Sequence, residues 1–122
     1  MQHTINWFEI PTTDLDRASR FYEAVLGATV KREHFDGTGM QMAVFQGDEA
    51  SVRGALIVDE RRKPAADGAL VYLHARDLDA SLARIEKAGG NVVMPKTDIG
   101  PPGFIALVRD TEGNVVGLHT PR

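Results

Sequence analysis

Four histidines (His3, His34, His74 and His119) and no cysteine leave the chemistry of this 122-residue chain to imidazoles and carboxylates. With no thiol, disulfides, thiolate catalysis and cysteine-based metal sites are excluded. Glu9 falls within an apolar strand pattern. A carboxylate there loses solvation, which suits it to act as a general base or acid. His74 would shuttle a proton or hold an anion, with Tyr72 and His119 donating hydrogen bonds. The same side chains carry two other readings. Glu9 paired with His74, or reaching solvent, would be a satisfied polar group without catalysis. Glu9, His74 and His119 together would make a two-histidine, one-carboxylate metal set. His3 and His34, in a terminal segment and at a strand–loop junction, are expected in solvent. Gly100-Pro101-Pro102-Gly103 lacks the lysine and following helix of a phosphate loop and reads as a rigid bend into Phe104. Arg61-Arg62-Lys63, balanced by Asp59 and Glu60, reads as a solvated linker.

The elements that must position these residues repeat. Asp14-Leu15-Asp16 returns as Asp77-Leu78-Asp79, Glu23 as Glu86, Gly27 as Gly90, Gly54 as Gly117, and Met42–Phe45 as Ile105–Val108, all 63 residues on. Each copy reads as strand, helix and three strands. In the first, a strand over 5–10 precedes a helix over 14–26, whose Ala18, Phe21, Tyr22, Val25 and Leu26 share one face. Asp14 is the natural cap of its start and Gly27 of its end. Strands follow over 28–32, 40–45 and 54–58, separated by the Asp36-Gly37-Thr38-Gly39 turn and a polar turn over 46–51. The second copy has a strand over 70–75, a helix over 77–88 and strands over 91–94, 104–108 and 115–119. The chain is expected to be one domain, with module one at about 4–58, a linker at about 59–68 and module two at about 69–120.

Strand alternation sorts the candidates by face. Phe8, Ile10, Val71, Leu73 and Ala75 belong under the helices. Trp7, Glu9, Leu70, Tyr72, His74, Val115, Gly117 and His119 would line an inner face. Two modules of this kind form an α+β domain, and the surface between them is where a pocket is expected. The net charge of −3 with scattered Lys and Arg predicts no nucleic-acid or membrane partner. No long apolar run or leader pattern is seen, so a cytoplasmic location is expected.

The doubled pattern resembles the vicinal oxygen chelate superfamily, which includes glyoxalase I, bleomycin-resistance proteins and extradiol dioxygenases. The resemblance is carried by Asp14-Leu15-Asp16-Arg17-Ala18, by Phe21-Tyr22-Glu23-Ala24-Val25-Leu26-Gly27, and by the late turn Asp110-Thr111-Glu112-Gly113-Asn114. It implies two tandem βαβββ modules forming a curved mixed sheet around a cleft, as in the glyoxalase/bleomycin resistance/dihydroxybiphenyl dioxygenase fold. Metal enzymes of that family hold one divalent ion by side chains of the first and last strands of each module. The matching positions here are Trp7, Leu70, Gly54 and Gly117, none of which can ligate through its side chain. Trp7 and Leu70 are expected to lie opposite the two glycines and to fill the ion's volume.

No cofactor is therefore expected, a divalent metal is disfavoured, and so is a metal-dependent lactoylglutathione lyase. The expected function is binding of a small molecule, with Trp7, Tyr72, Phe104 and His119 as contacts. The alternative is a lyase, isomerase or epimerase in which Glu9 abstracts a proton beside a carbonyl and Tyr72 and His74 stabilise the charge that develops. A third reading is an interaction module. Family members are commonly dimers, so a homodimer is expected.

Overall fold

The computed structural model describes residues 4–34, 41–48 and 50–122; His3, the 36–39 turn and Met40 lie outside them. Module one runs β1 (Trp7–Pro11), α1 (Leu15–Leu26), β2 (Val30–His34), β3 (Gln41–Phe45) and β4 (Arg53–Ile57). Module two runs β5 (Tyr72–His74), α2 (Leu78–Arg84), β6 (Asn91–Asp98), β7 (Phe104–Arg109) and β8 (Val115–Thr120). Each module closes its own four-stranded mixed sheet, in the orders β1-β4-β3-β2 and β5-β8-β7-β6. The first strand of each pairs parallel with the last, so β1 and β5 are edge strands. No helix among the described residues is long and apolar enough to cross a membrane.

The helices start where the sequence expects. Asp14 is extended (φ −148°), and its carboxylate accepts the Arg17 N–H at 3.0 Å. Asp77 does the same for Ala80 at 3.1 Å. Gly27, left-handed at φ 67°, donates its N–H to the Glu23 carbonyl and ends α1. α2 stops at Arg84 rather than near Ala88. There the Ile85 N–H bonds the Leu82 carbonyl three residues back, and the irregular turns that follow end with Gly89, at φ 103°, bonding the Glu86 carbonyl. β6 runs four residues beyond the expected Met94. Pro95, which argues against a central strand, is tolerated because β6 is a sheet edge with register shifts on both sides of Met94.

The helix-side residues of both modules join one core. Ile10, Ala18, Phe21, Tyr22, Ala43 and Leu56 pack with Leu73, Leu78, Ile85, Val108 and Leu118, and α1 lies against α2. The opposite face of sheet one holds a separate cluster of Met42, Val44, Ala55 and Ile57, with Trp7 packed on it.

Polar bonds tie module one to the β7–β8 turn. The buried Tyr22 hydroxyl donates to the Asp110 carboxylate at 2.6 Å, and Asp110 also accepts the N–H groups of Glu112 and Asn114. Burial first, and then the Asp110 charge, raise the Tyr22 phenol well above its ordinary value, which keeps it a donor. The Glu112 side chain, with no exposed surface, accepts from Arg17 Nε at 2.7 Å, from the Thr13 N–H at 2.9 Å and from the Thr111 hydroxyl at 3.0 Å. Burial alone would raise its carboxyl. These hydrogen bonds prevail and lower it to about 2.

Candidate functional site

The two modules meet along the edge strand β1, and a pocket of about 230 Å³ opens there. Glu9, Ile10 and Pro11 form one wall; Val71, Val115 and Val116 form the other. The segment between the modules folds over the gap and contributes Lys63, Ala65 and Ala69. Asn114 holds this arrangement. Its amide donates to the Pro11 carbonyl at 2.7 Å and to Asp110 at 3.0 Å, while its carbonyl oxygen accepts the Ala65 N–H at 3.1 Å. One buried side chain thus fixes β1, the covering segment and the β7–β8 turn together.

Glu9 is the one candidate from the sequence that lines this pocket. Its partners are Arg62 Nη2 at 2.8 Å and the Trp7 indole N–H at 3.2 Å, one on each carboxylate oxygen, rather than His74. Arg62 also reaches Asp59 at 3.4 Å. The segment read as a solvated linker therefore carries the counter-ion of Glu9. Lys63 adds an ammonium to the pocket and makes no ion pair among the described residues. The pocket is carbon-lined on its strand walls and charged at Glu9 and Lys63.

The other candidates lie elsewhere. Tyr72 and His74 are exposed on the face of sheet two turned away from α2, where His74 is the strand neighbour of His119. His119 is held in place: its Nε2 lies 2.8 Å from the Pro102 carbonyl, pinning the Gly100–Gly103 bend. Phe104 was expected to offer its ring to a ligand. Instead it packs on the shared core, with Lys96 Nζ and the Arg122 guanidinium 4.7 and 4.8 Å from its ring centre. Alternation along β7 decides this, since Ala106 and Val108 face the same core. Glu9, His74 and His119 do not form a metal set; among the described residues no group of three His, Cys, Asp or Glu side chains able to hold an ion occurs.

The two glycines also depart from the expectation. Gly54 pairs with Phe8 on the helix side, where an added Cβ would strike the Phe8 carbonyl and ring. Trp7 has Arg53 as its β4 neighbour, and Ala55 takes the position beside Glu9. Gly117 lies on the face away from α2, the one expected to be the inner face, but the ring lying over it is Tyr72; Leu70 precedes β5 and is 42% exposed. The cause is a one-residue slip in the repeat. Leu56 and Leu118 hold the same core position 62 residues apart, whereas Ile10 and Leu73 are 63 apart. The sites matching the family's metal ligands, Trp7, Leu70, Gly117 and either Gly54 or Ala55, thus present no side-chain oxygen or imidazole to an ion.

The family model for the Glyoxalase/Bleomycin resistance protein/Dioxygenase superfamily matches residues 4–118. The chain belongs to this superfamily. Among curated relatives, CFP32 of Mycobacterium bovis is 29% identical over 124 residues, a match covering 96% of this chain and 45% of that protein. The chain thus spans about half the length of that relative. A superfamily member from Sphaerobacter thermophilus superposes with a TM-score of 0.70 at 22% identity, covering 96% of each chain. TnmS3, an antibiotic-binding protein from a Streptomyces species, gives 0.66 at 20% identity, covering 100% of this chain and 98% of that one. At these identities the two structures speak for the fold alone.

Proposed function

We propose that this superfamily domain binds a small molecule without a metal ion, in the pocket between its modules. The observation that carries the reading is chemical. The positions where the superfamily's metal enzymes place ligands hold an indole, aliphatic side chains and glycine, while the intermodule pocket pairs carbon walls with the charges of Glu9 and Lys63. These residues do not fit a divalent ion. At about 230 Å³ the pocket is smaller than the roughly 300–1,000 Å³ typical of drug-sized sites, so its occupant is compact. TnmS3, an antibiotic-binding protein by name, gives this fold a precedent for binding a small molecule.

Proton abstraction by Glu9 finds no support in the geometry. Both carboxylate oxygens are engaged by Arg62 and Trp7, and His74 is not among their partners. A homodimer belongs to the same proposal, with the solvent-facing surface of sheet two around Tyr72 as the part a second copy covers; sedimentation of the wild type and of Tyr72→Asp tests it.

Elemental analysis of protein purified without a metal-bearing tag, with thermal-shift titrations of divalent ions, tests metal independence. Stoichiometric metal, or a saturable rise in melting temperature, would refute it. A screen of compact amphipathic compounds against the wild type and Ala69→Trp, which fills the pocket, tests the site. Hits that stabilise both proteins equally would move the ligand elsewhere.

A further inference from the structure

A second pocket, of about 270 Å³, lies where the end of α1 meets the start of α2, and it shares no lining residue with the first. Val25 and Leu26 form its apolar side, and Arg76, Asp77, Ser81 and Arg84 its polar side. Ser81 is only 4% exposed, yet its hydroxyl makes no hydrogen bond to any described residue. Among the described residues no buried side-chain polar atom is left sealed without a partner, so this hydroxyl opens to the pocket it lines. Such a group is normally satisfied by protein or by a bound molecule.

The two arginines are equally uncommitted. Neither makes an ion pair among the described residues. Asp77, the carboxylate in the pocket, spends one oxygen on the Ala80 N–H as the cap of α2. Two guanidinium groups against one carboxylate leave one positive charge. α1 has no basic residue in its last turn, so its terminal carbonyls oppose an anion and give the arginines a competing role as dipole partners.

We propose that this pocket binds the phosphate group of a small molecule, held by Arg76, Arg84 and the Ser81 hydroxyl, with the carbon part of the ligand against Val25 and Leu26. Phosphate is favoured over carboxylate by donor number. One guanidinium fork satisfies the two oxygens of a carboxylate, whereas two forks and a hydroxyl match the three free oxygens of a phosphate monoester.

The test is a ³¹P NMR titration with inorganic phosphate at fixed ionic strength, with acetate as the carboxylate arm. Saturable binding is expected for the wild type, weakened about tenfold or more in Arg76→Gln/Arg84→Gln and severalfold in Ser81→Ala. Acetate should compete poorly. No saturable binding, affinity unchanged in the double variant, or acetate competing as well as phosphate would each overturn the proposal. Lower melting temperatures in variants of a protein that never binds phosphate would assign the arginines to the α1 dipole instead. Should the double variant fail to fold, Arg84→Lys keeps the charge and loses the fork; unchanged affinity there would refute two-fork recognition.

Discussion

Glu112 gives the sharpest quantitative prediction. Its carboxyl lies at about 2 instead of the ordinary 4.5, because Arg17, Thr13 and Thr111 overcome the cost of its burial. Folding therefore favours the ionised form. This stabilisation is complete above pH 4.5 and is lost as the pH falls toward 2. Taken at face value the difference is worth about 3 kcal/mol. Arg17 is 45% exposed and screened by solvent, which reduces the expected contribution to about 1–2 kcal/mol. Glu112→Gln removes the charge and turns an NH₂ group toward a ring of donors. Urea unfolding of both proteins across the acid range should show a gap of about 1–2 kcal/mol at neutral pH that closes as pH 2 is approached. Asp59 and Asp98 are also held low, by backbone and side-chain bonds to Arg61 and by Arg122 and Gly100, so the wild type alone would lose stability in acid for several reasons. The closing gap isolates Glu112. Two parallel curves, separated by the same amount at every pH, would refute the account.

Tyr22→Phe removes a buried hydrogen bond to a carboxylate and should cost about 1.5–3 kcal/mol in urea unfolding; a loss below about 0.5 kcal/mol would mean that the remaining N–H donors satisfy Asp110 without it. Gly54→Ala drives a methyl into the fixed Phe8 carbonyl, whereas Gly117→Ala meets the ring of Tyr72, which is 46% exposed and able to turn aside. The first should cost roughly 3 kcal/mol and the second roughly 1, and the reverse order in thermal melts would contradict the packing described. Asn114→Ala frees the segment over the pocket. Limited proteolysis within residues 59–69 should quicken about tenfold, and an unchanged rate would show that the Ala65 bond does not hold that segment down.

Much of the fold is legible in the sequence because its signals are local or repeated. Asp14, Asp77 and Gly27 fix helix ends by their own backbone chemistry, and a repeated apolar pattern doubles every helix and strand signal. The facing of β4 was hidden by the same repeat. Gly54 and Gly117 align in sequence, yet the hairpin before β8 places the core position one residue earlier than the hairpin before β4 does, and one residue reverses a strand's faces. The pocket was less legible for another reason. Lys63 and Ala65 belong to a charged, proline-containing stretch whose composition signals a linker, and only the pairing of Arg62 with Glu9 and of Ala65 with Asn114, far apart in sequence, brings it over the gap. Asn114 carried the one available signal. It stands in the turn that links this chain to its superfamily, but there it reads as a turn former rather than as a bridge.

The parallel pairing of the first and last strands in each module sets an order for the chain as it leaves the ribosome. β1 has no partner until β4 has been made, so module one assembles only when nearly all of it is available. Even then the Tyr22 hydroxyl and the Arg17 guanidinium lack Asp110 and Glu112, which come only with the β7–β8 turn of module two. The first half thus spends the synthesis of the second with its helix face incomplete, and a stop before the β7–β8 turn would strand it there as a target for chaperones and proteases.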